Sequence, residues 1–213
     1  MNSNKAVQKY EKQSGIFDQD YFENGIKTGK SNYQDYSWDR LGSYFQRAAG
    51  HIVKLFNPAT ALDVGCAKGF LVKALCGIGV DAYGIDPSDY AVSQAPVEIA
   101  DKVQLDLAQS IAFPDSSFDV VTCFDVLEHI PAQQVPKALK EMLRVSKQWV
   151  VLRMVTHEVE GDKDSSHETI RDLEWWTAKV EKAGGVVESL DNYVDKSVWW
   201  FNVPEFLMVI RKA

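Results

Sequence analysis

Four short runs carry side chains or bare backbone suited to chemistry: Asp63-Val64-Gly65-Cys66-Ala67-Lys68-Gly69, Asp86-Pro87, Asp106-Leu107 and Phe124-Asp125-Val126-Leu127-Glu128-His129. Each closes or follows a short strand-like stretch. Glycines let a ligand approach the backbone, and a carboxylate at a strand end accepts hydroxyls or faces a cation. The loop holds Gly65 and Gly69 with Ala67 between them, which is not the G-x-G-x-x-G of a pyrophosphate cradle. No lysine-serine pair of a phosphate loop follows it. Acid-rich strand ends suit a positively charged ligand better than a pyrophosphate. Asp86 stands 21 residues after Gly65, about the separation at which a carboxylate accepts both hydroxyls of a ribose. The pattern describes a site for a nucleoside bearing positive charge, although an aspartate after a strand also serves as a plain helix cap.

The elements that would bring these runs to one rim are legible in the periodicity. Residues 61–64, 82–85, 102–105, 118–123 and 149–155 read as buried strands. Leu41, Phe45, Ala48, Ile52 and Leu55 lie at helical spacing, and Asn57-Pro58 ends that helix. Residues 69–75 and 90–95 read as the next two helices. Val135, Leu139, Met142 and Leu143 form one further helix face, and Ile170, Leu173, Trp176 and Val180 another. Two last strands fall near 186–193 and 206–210, with no helix between them. Apolar strands alternating with helices predict an α/β, doubly wound, mostly parallel sheet of seven strands, with helices on both faces. The final pair predicts an antiparallel last strand in a hairpin at the edge.

At 213 residues, 46% hydrophobic and 25% charged, the chain fits one globular domain. The 23 basic and 30 acidic residues give a net charge of −7, which disfavours broad nucleic-acid binding. Cys66, Cys76 and Cys123 are odd in number and form no C-x-x-C pair, so reduced thiols and a cytoplasmic location are expected. No apolar run suggests a secretory signal or a membrane span. Residues 1–37 read as a polar arm, yet they carry Phe17, Tyr21, Phe22, Tyr33 and Tyr36. Disordered segments are poor in aromatics, so the arm is expected to pack.

LDVGCAKGF, GIDPS, QLDLA and FPDSSFDVVTCFDVLEHIP, in that order and spacing, resemble the successive motifs of class I S-adenosylmethionine-dependent methyltransferases. The resemblance is to the small-molecule (type 11) branch typified by quinone-biosynthesis enzymes, and covers about residues 60–155. YFENG and SNYQDYSW, less specifically, are similar to arms of bacterial methyltransferases acting on saccharides or secondary metabolites. The resemblance implies a Rossmann-like methyltransferase domain over 38–213, with the arm over 1–37 as a lid.

It also implies residue roles. The backbone of Gly65, Cys66 and Ala67 would pass along the methionine part of the cofactor, and Asp63 would order its ammonium. Asp86 would take the ribose hydroxyls and Pro87 would edge the adenine. Asp106 would accept from the adenine amino group, and the Leu107 N–H would meet the ring. The Phe124 carbonyl would lie near the ammonium, and Leu127 would border the pocket. Tyr33, Tyr36 or Trp38 would lie against the sulfonium, or the arm aromatics would simply pin the arm. Ala67 stands where many relatives have a third glycine.

A hydroxyl acceptor needs a base, whereas an amine needs only to be neutral. His167, in Asp164-Ser165-Ser166-His167, is the leading candidate base, followed by His129 and Glu128; His51 is expected to pack or face solvent. The acidic and histidine-rich stretch from His157 to His167 fits no compact metal spacing, so no metal is expected. Trp199-Trp200-Phe201 either lines a substrate pocket or packs the hairpin. The expected function is methyl transfer from S-adenosylmethionine, yielding S-adenosylhomocysteine, to a small-molecule acceptor, most readily at oxygen. The expected protein is a monomer or homodimer without nucleic-acid or membrane partners. The alternatives are a cofactor-binding protein without turnover and a small-molecule N-methyltransferase. A nicotinamide oxidoreductase would want a third glycine in the loop and no acidic end on the third strand.

Overall fold

Short apolar strands whose neighbouring side chains point to opposite faces must be covered on both sides, and here they are. A computed structural model describes residues 15–213, the Trp199 side chain excepted. Residues 1–14 of the expected arm therefore lie outside the described residues.

The strands are β1 (Thr60–Val64), β2 (Asp81–Asp86), β3 (Val103–Leu105), β4 (Phe118–Phe124), β5 (Ser146–Arg153), β6 (Gly185–Val187) and β7 (Leu207–Lys212). They form one sheet in the order β3-β2-β1-β4-β5-β7-β6. Pairing is parallel from β3 to β5, and β7 runs antiparallel to both β5 and β6. The seven strands and the antiparallel last one agree with the expectation.

The helices are α1 (Gln19–Glu23), α2 (Gly25–Thr28), α3 (Trp38–Phe56), α4 (Phe70–Gly77), α5 (Asp89–Ser93), α6 (Val135–Val145) and α7 (Leu173–Ala183). Ala61 and Val120 join one apolar layer with Phe45, Ile52, Leu71 and Leu75 of α3 and α4. Their neighbours Leu62 and Val121 join the other, with Leu139, Met142, Trp176 and Val180 of α6 and α7. Asn57, at φ 42°, closes α3 by donating its N–H to Val53 O at 2.9 Å. The described arm is packed, as its aromatics required: Tyr21, Phe22 and Tyr36 are buried.

The edge departs from the expectation. β6 has only three residues, and a 3₁₀ turn at Leu190–Asn192 replaces the rest of the strand expected to reach residue 193. The Ser189 hydroxyl donates to the Asp191 carboxylate, a local bond that competes with an edge ladder. Two further 3₁₀ turns, Trp199–Phe201 and Pro204–Phe206, stand before β7, so the β6–β7 pair is not a tight hairpin. Ile170 precedes α7, where the Asp172 carboxylate accepts the Trp175 N–H at 2.9 Å and starts the helix. Among the described residues, no helix is long and apolar enough to cross a membrane.

Gly84 in β2 marks the tightest strand–loop approach. A Cβ there would lie 2.6 Å from Cys66 Sγ and 2.9 Å from Val72 Cγ2, whereas one at Gly50 in α3 would meet nothing within 4 Å. Gly84→Ala should therefore cost about 1–3 kcal/mol by overpacking and lower Tm by several degrees. Gly50→Ala should instead stabilise by roughly 0.5–1 kcal/mol through helix propensity. Thermal unfolding of both variants checks this pair of opposite signs.

Candidate active site

Strand order reverses between β1 and β4, and in open α/β sheets the crevice at that point holds the ligand. A cavity with about 940 Å³ of space free of protein atoms opens there. Its floor is the loop after β1. Gly65 has φ 77°, and a Cβ on it would fall 2.2 Å from Val126 Cγ2, so only glycine fits. The Gly65 and Cys66 N–H groups both donate to Ile85 O, at 2.8 and 3.0 Å. The Ala67 N–H donates to Asp86 Oδ2 at 2.8 Å, and Asp86 Oδ1 accepts the Ser88 N–H at 2.8 Å. One carboxylate thereby fastens the β1 loop to the start of α5. Ala67 itself sits at φ 50°, the left-handed region that glycine enters freely, which accounts for the glycine often found there.

Asp63, Asp86, Asp106 and Asp125 all line the cavity, and among the described residues no lysine or arginine does. Burial pushes the Asp86 carboxyl up to about 6 despite its two amide donors. Burial raises Asp63 to about 7, opposed by the Thr122 hydroxyl that donates to Oδ1 at 2.8 Å and assisted by the charge on Asp86. Such a pair favours a ligand carrying hydroxyl donors and positive charge. Asp106 is turned partly inward: Oδ2 accepts the Ala112 N–H and Oδ1 the Leu107 N–H, both at 2.8 Å. The Leu107 N–H expected to meet an adenine ring is thus engaged with its own neighbour.

The cavity also takes in Gly65, Cys66, Ala67, Pro87, Leu107, Phe124, Tyr36 and His129 from the sequence reading. Two residues read as cofactor-binding lie elsewhere. Leu127 is fully buried in the layer of Leu139 and Trp176, because the 3₁₀ turn Leu127–His129 directs Val126 and His129, three apart, to the cavity and Leu127 to the core. Trp38 packs edge-on against Phe70 at 5.6 Å, with Lys73 Nζ 4.5 Å from its ring, and is not on the cavity wall.

The arm furnishes much of the remaining wall through Phe17, Tyr21, Phe22, Tyr33 and Tyr36. It is tied at both ends of the opening. Glu23 accepts from Lys68 Nζ and from Tyr90 OH, the latter at 2.9 Å, and Ser88 Oγ donates to Phe17 O. Across the cavity, Tyr21 OH donates to Asp164 Oδ2 at 2.7 Å and Asn32 Nδ2 to Asp162 Oδ1 at 2.6 Å. Phe17 and Tyr21 were visible only as arm aromatics, with no spacing to aim them. Trp200 stacks on Phe124 at 5.3 Å and donates Nε1–H to Asp125 Oδ2 at 3.1 Å. Asp125, paired with Arg153, carried no assigned role in the sequence.

The candidate acid–base residues form one group. His129 is on the cavity wall, and its ring centroid lies 4.9 Å from that of His167. His167 is not on that wall; it lines a shallow surface depression with Thr156, His157 and Arg171. Glu128 is fully buried, and burial followed by the Asp125 charge raises its carboxyl to about 8. Burial lowers the pKa of His129. His51 packs on Phe201 at 4.6 Å and bonds Tyr193 O through Nε2, far from this chemistry in role.

Residues 62–153 match the family model of a methyltransferase domain. A ubiquinone biosynthesis O-methyltransferase of Thiobacillus denitrificans is 38% identical over 76 residues, 33% of this chain and 33% of that protein. The chain thus matches about a third of the length of that curated relative. The magnesium protoporphyrin IX methyltransferase of Synechocystis PCC 6803, solved with bound S-adenosylhomocysteine, superposes with a TM-score of 0.63 at 14% identity. That likeness covers 99% of this chain and 100% of that one. The [4+2]-cyclase SpnF gives 0.57 at 18% identity over 78% of this chain and 80% of its own. The fold is the Rossmann-like fold of these solved structures, and the family model falls on the stretch that carries the motifs.

Two buried carboxyls with raised pKa values make stability depend on pH. Their protonated forms are favoured in the folded chain, so the stability they allow is full below about 3.8 and is lost as pH rises through about 6 and 7. Asp63→Asn, which keeps an acceptor for Thr122, should gain stability over the parent by on the order of 3 kcal/mol between pH 4 and pH 8. Denaturant unfolding of the ligand-free proteins across that range measures it; a gap that does not widen with pH would contradict the assignment.

Proposed function

We propose that this chain is an S-adenosylmethionine-dependent methyltransferase acting on an oxygen of a small-molecule acceptor. The observation that carries the reading is the pair Asp63 and Asp86, buried on one cavity at the strand-order reversal with no basic partner among the described residues. The donor set fits the cofactor. A glycine-lined loop admits a ligand to the backbone, Asp86 offers both oxygens to ribose hydroxyls, and Asp63 can balance an ammonium. The matched family model and the O-methyltransferase relatives support the same reading.

When bound, the cofactor supplies a sulfonium methyl with an already good leaving group. What remains for the chain is alignment and exclusion of water, worth roughly 7–11 kcal/mol where geometry is well set. The loop fixed by Asp86 aligns the donor end. The arm, as a lid, covers the opening and excludes water with Phe17, Tyr21, Phe22 and Tyr33. Tyr36, stacked on Phe70 at 5.3 Å, puts an aromatic ring on the cavity wall, where it can meet positive charge. His129 presents a neutral imidazole at the acceptor end, and its ring stands 5.5 Å from Phe17. An acceptor ring, of the saccharide or secondary-metabolite type suggested by the arm motifs, would pack on these aromatic faces and bring its hydroxyl to that imidazole.

Asp86→Ala should weaken S-adenosylmethionine binding by about 2–4 kcal/mol, because hydrogen bonds to a charged acceptor are lost. Calorimetry showing unchanged affinity would remove Asp86 from the role. For His129→Ala, cofactor affinity should persist while kcat drops on the order of 100-fold. Mass-spectrometric detection of S-adenosylhomocysteine across an acceptor panel provides that rate; binding with no turnover on any acceptor would instead favour a cofactor-binding protein.

A further inference from the structure

Glu128, His129 and His167 converge although 38 residues of chain separate the last two. One ligand atom from each lies within 4.8 Å of the others. The convergence is built by backbone: Glu128 O accepts the N–H groups of both Glu168 and Thr169 at 2.8 Å, and Thr169 Oγ1 donates to Ile130 O at 2.7 Å. The 3₁₀ turn after β4 and the segment around His167 are therefore held together whatever the histidines do.

The hydrogen bonds around the two rings fix which nitrogen is available. Ser166 gives its hydroxyl proton to Asp164, so the contact of 2.9 Å between Ser166 Oγ and His129 Nδ1 has the imidazole donating. His167 Nδ1 lies 3.1 Å from Asp162 Oδ2, a carboxylate that can only accept. Asp162 is itself anchored by Asn32 Nδ2 and by the Asp164 N–H. Each ring thus carries its proton on Nδ1 and its lone pair on Nε2. A ring whose other nitrogen is tied to a carboxylate or hydroxyl is the arrangement that orients metal-ligating histidines.

Glu128 supplies an independent polar group that points to a ligand. Its Oε1 accepts the Val155 N–H at 3.1 Å, but Oε2 is buried with no hydrogen-bond partner among the described residues. An unpaired carboxylate oxygen in the interior is costly, and a cation beside it removes the cost. We propose that Glu128, His129 and His167 bind one divalent first-row cation, Zn²⁺ being the best match to two imidazoles and a carboxylate, with a coordination position open toward the cavity.

The catalytic consequence rests on the proposed methyl transfer, whereas binding of the cation does not. The cation would supply Lewis acidity there, lowering the pKa of an acceptor O–H so that its proton can pass to solvent as the oxygen is methylated. The new carbon–oxygen bond then forms as the methyl–sulfur bond breaks, and sulfur keeps that electron pair. With the cation in place, His129 would serve the acceptor hydroxyl by holding the metal beside it, in place of the direct contact. The stretch from 157 to 167 taken alone holds no compact site because two of the three ligands come from the end of β4.

The chelator-treated 213-residue chain, titrated with Zn²⁺ by calorimetry and with Co²⁺ by visible absorption, tests the site without turnover. One equivalent should bind at micromolar affinity or tighter, and the Co²⁺ spectrum should show nitrogen and oxygen ligands with no thiolate band. His167→Ala and His129→Ala should each weaken binding at least about 100-fold, and His157→Ala should leave it unchanged. Retained S-adenosylmethionine affinity and Tm show that the variants fold. Absence of stoichiometric binding, a thiolate band, or binding indifferent to His167→Ala overturns the site. Methyl transfer that resists chelation would leave the proposed function standing without the metal; metal binding with no transfer to any acceptor would leave the site without that function.

Discussion

The Asp86 carboxylate, shared between the Ala67 and Ser88 amides, is the constraint on which the rest of the site depends. It is a buried acid held at a strand end by two N–H donors. Those donors belong to the β1 loop and to the start of α5, so a single side chain sets the distance between the first two strand ends. The loop could not lie so close to Val126 without Gly65, nor β2 approach Cys66 without Gly84. Positive φ at Ala67 is tolerated because the amide it exposes is the one Asp86 holds. Local strain, close packing and a raised carboxyl pKa are three faces of one arrangement.

The second half of the enclosure is contributed by chain with no regular period. Between residues 15 and 37, aromatic side chains serve as cavity wall as well as core. The Tyr21 hydroxyl is tied to Asp164 on one side and the Phe17 carbonyl to Ser88 on the other. A wall of this kind is firm while its few polar ties hold, and of those ties the Asn32–Asp162 bond is the exposed one. The segments that move in binding sites are drawn from such places.

How much of this could be read beforehand follows from the range of the forces involved. Strand ends and helix faces repeat at short period, so β1, β2, β4, β5, α3 and α6 were legible, as was the acidic rim. β6 was read too long because a Ser189–Asp191 side-chain bond diverts the edge after three residues. Leu127 and Trp38 were assigned to the site by position in a motif. Neighbours in a tight turn point in different directions: Val126, His129 and Ile130 reach the cavity, while Leu127 and Glu128 are buried away from it. His167 was read singly as a base; its meeting with Glu128 and His129 is made by backbone bonds from Glu128 to residues 168 and 169, which leave no spacing in the sequence.

The cavity wall is of mixed ancestry. Asp63, Gly65, Ala67, Asp86, Asp106 and Phe124 fall within the stretch that matches the family model, while Phe17, Tyr21, Phe22, Tyr33, Tyr36, Phe45 and Trp200 fall outside it. One part of the wall follows the family model and the other lies outside it. Under the proposed reading, relatedness measured along this chain reports the methyl donor, and the identity of the recipient is written in the unmatched flanks. Exchanging those flanks between homologues would be expected to retarget the enzyme without rebuilding its engine.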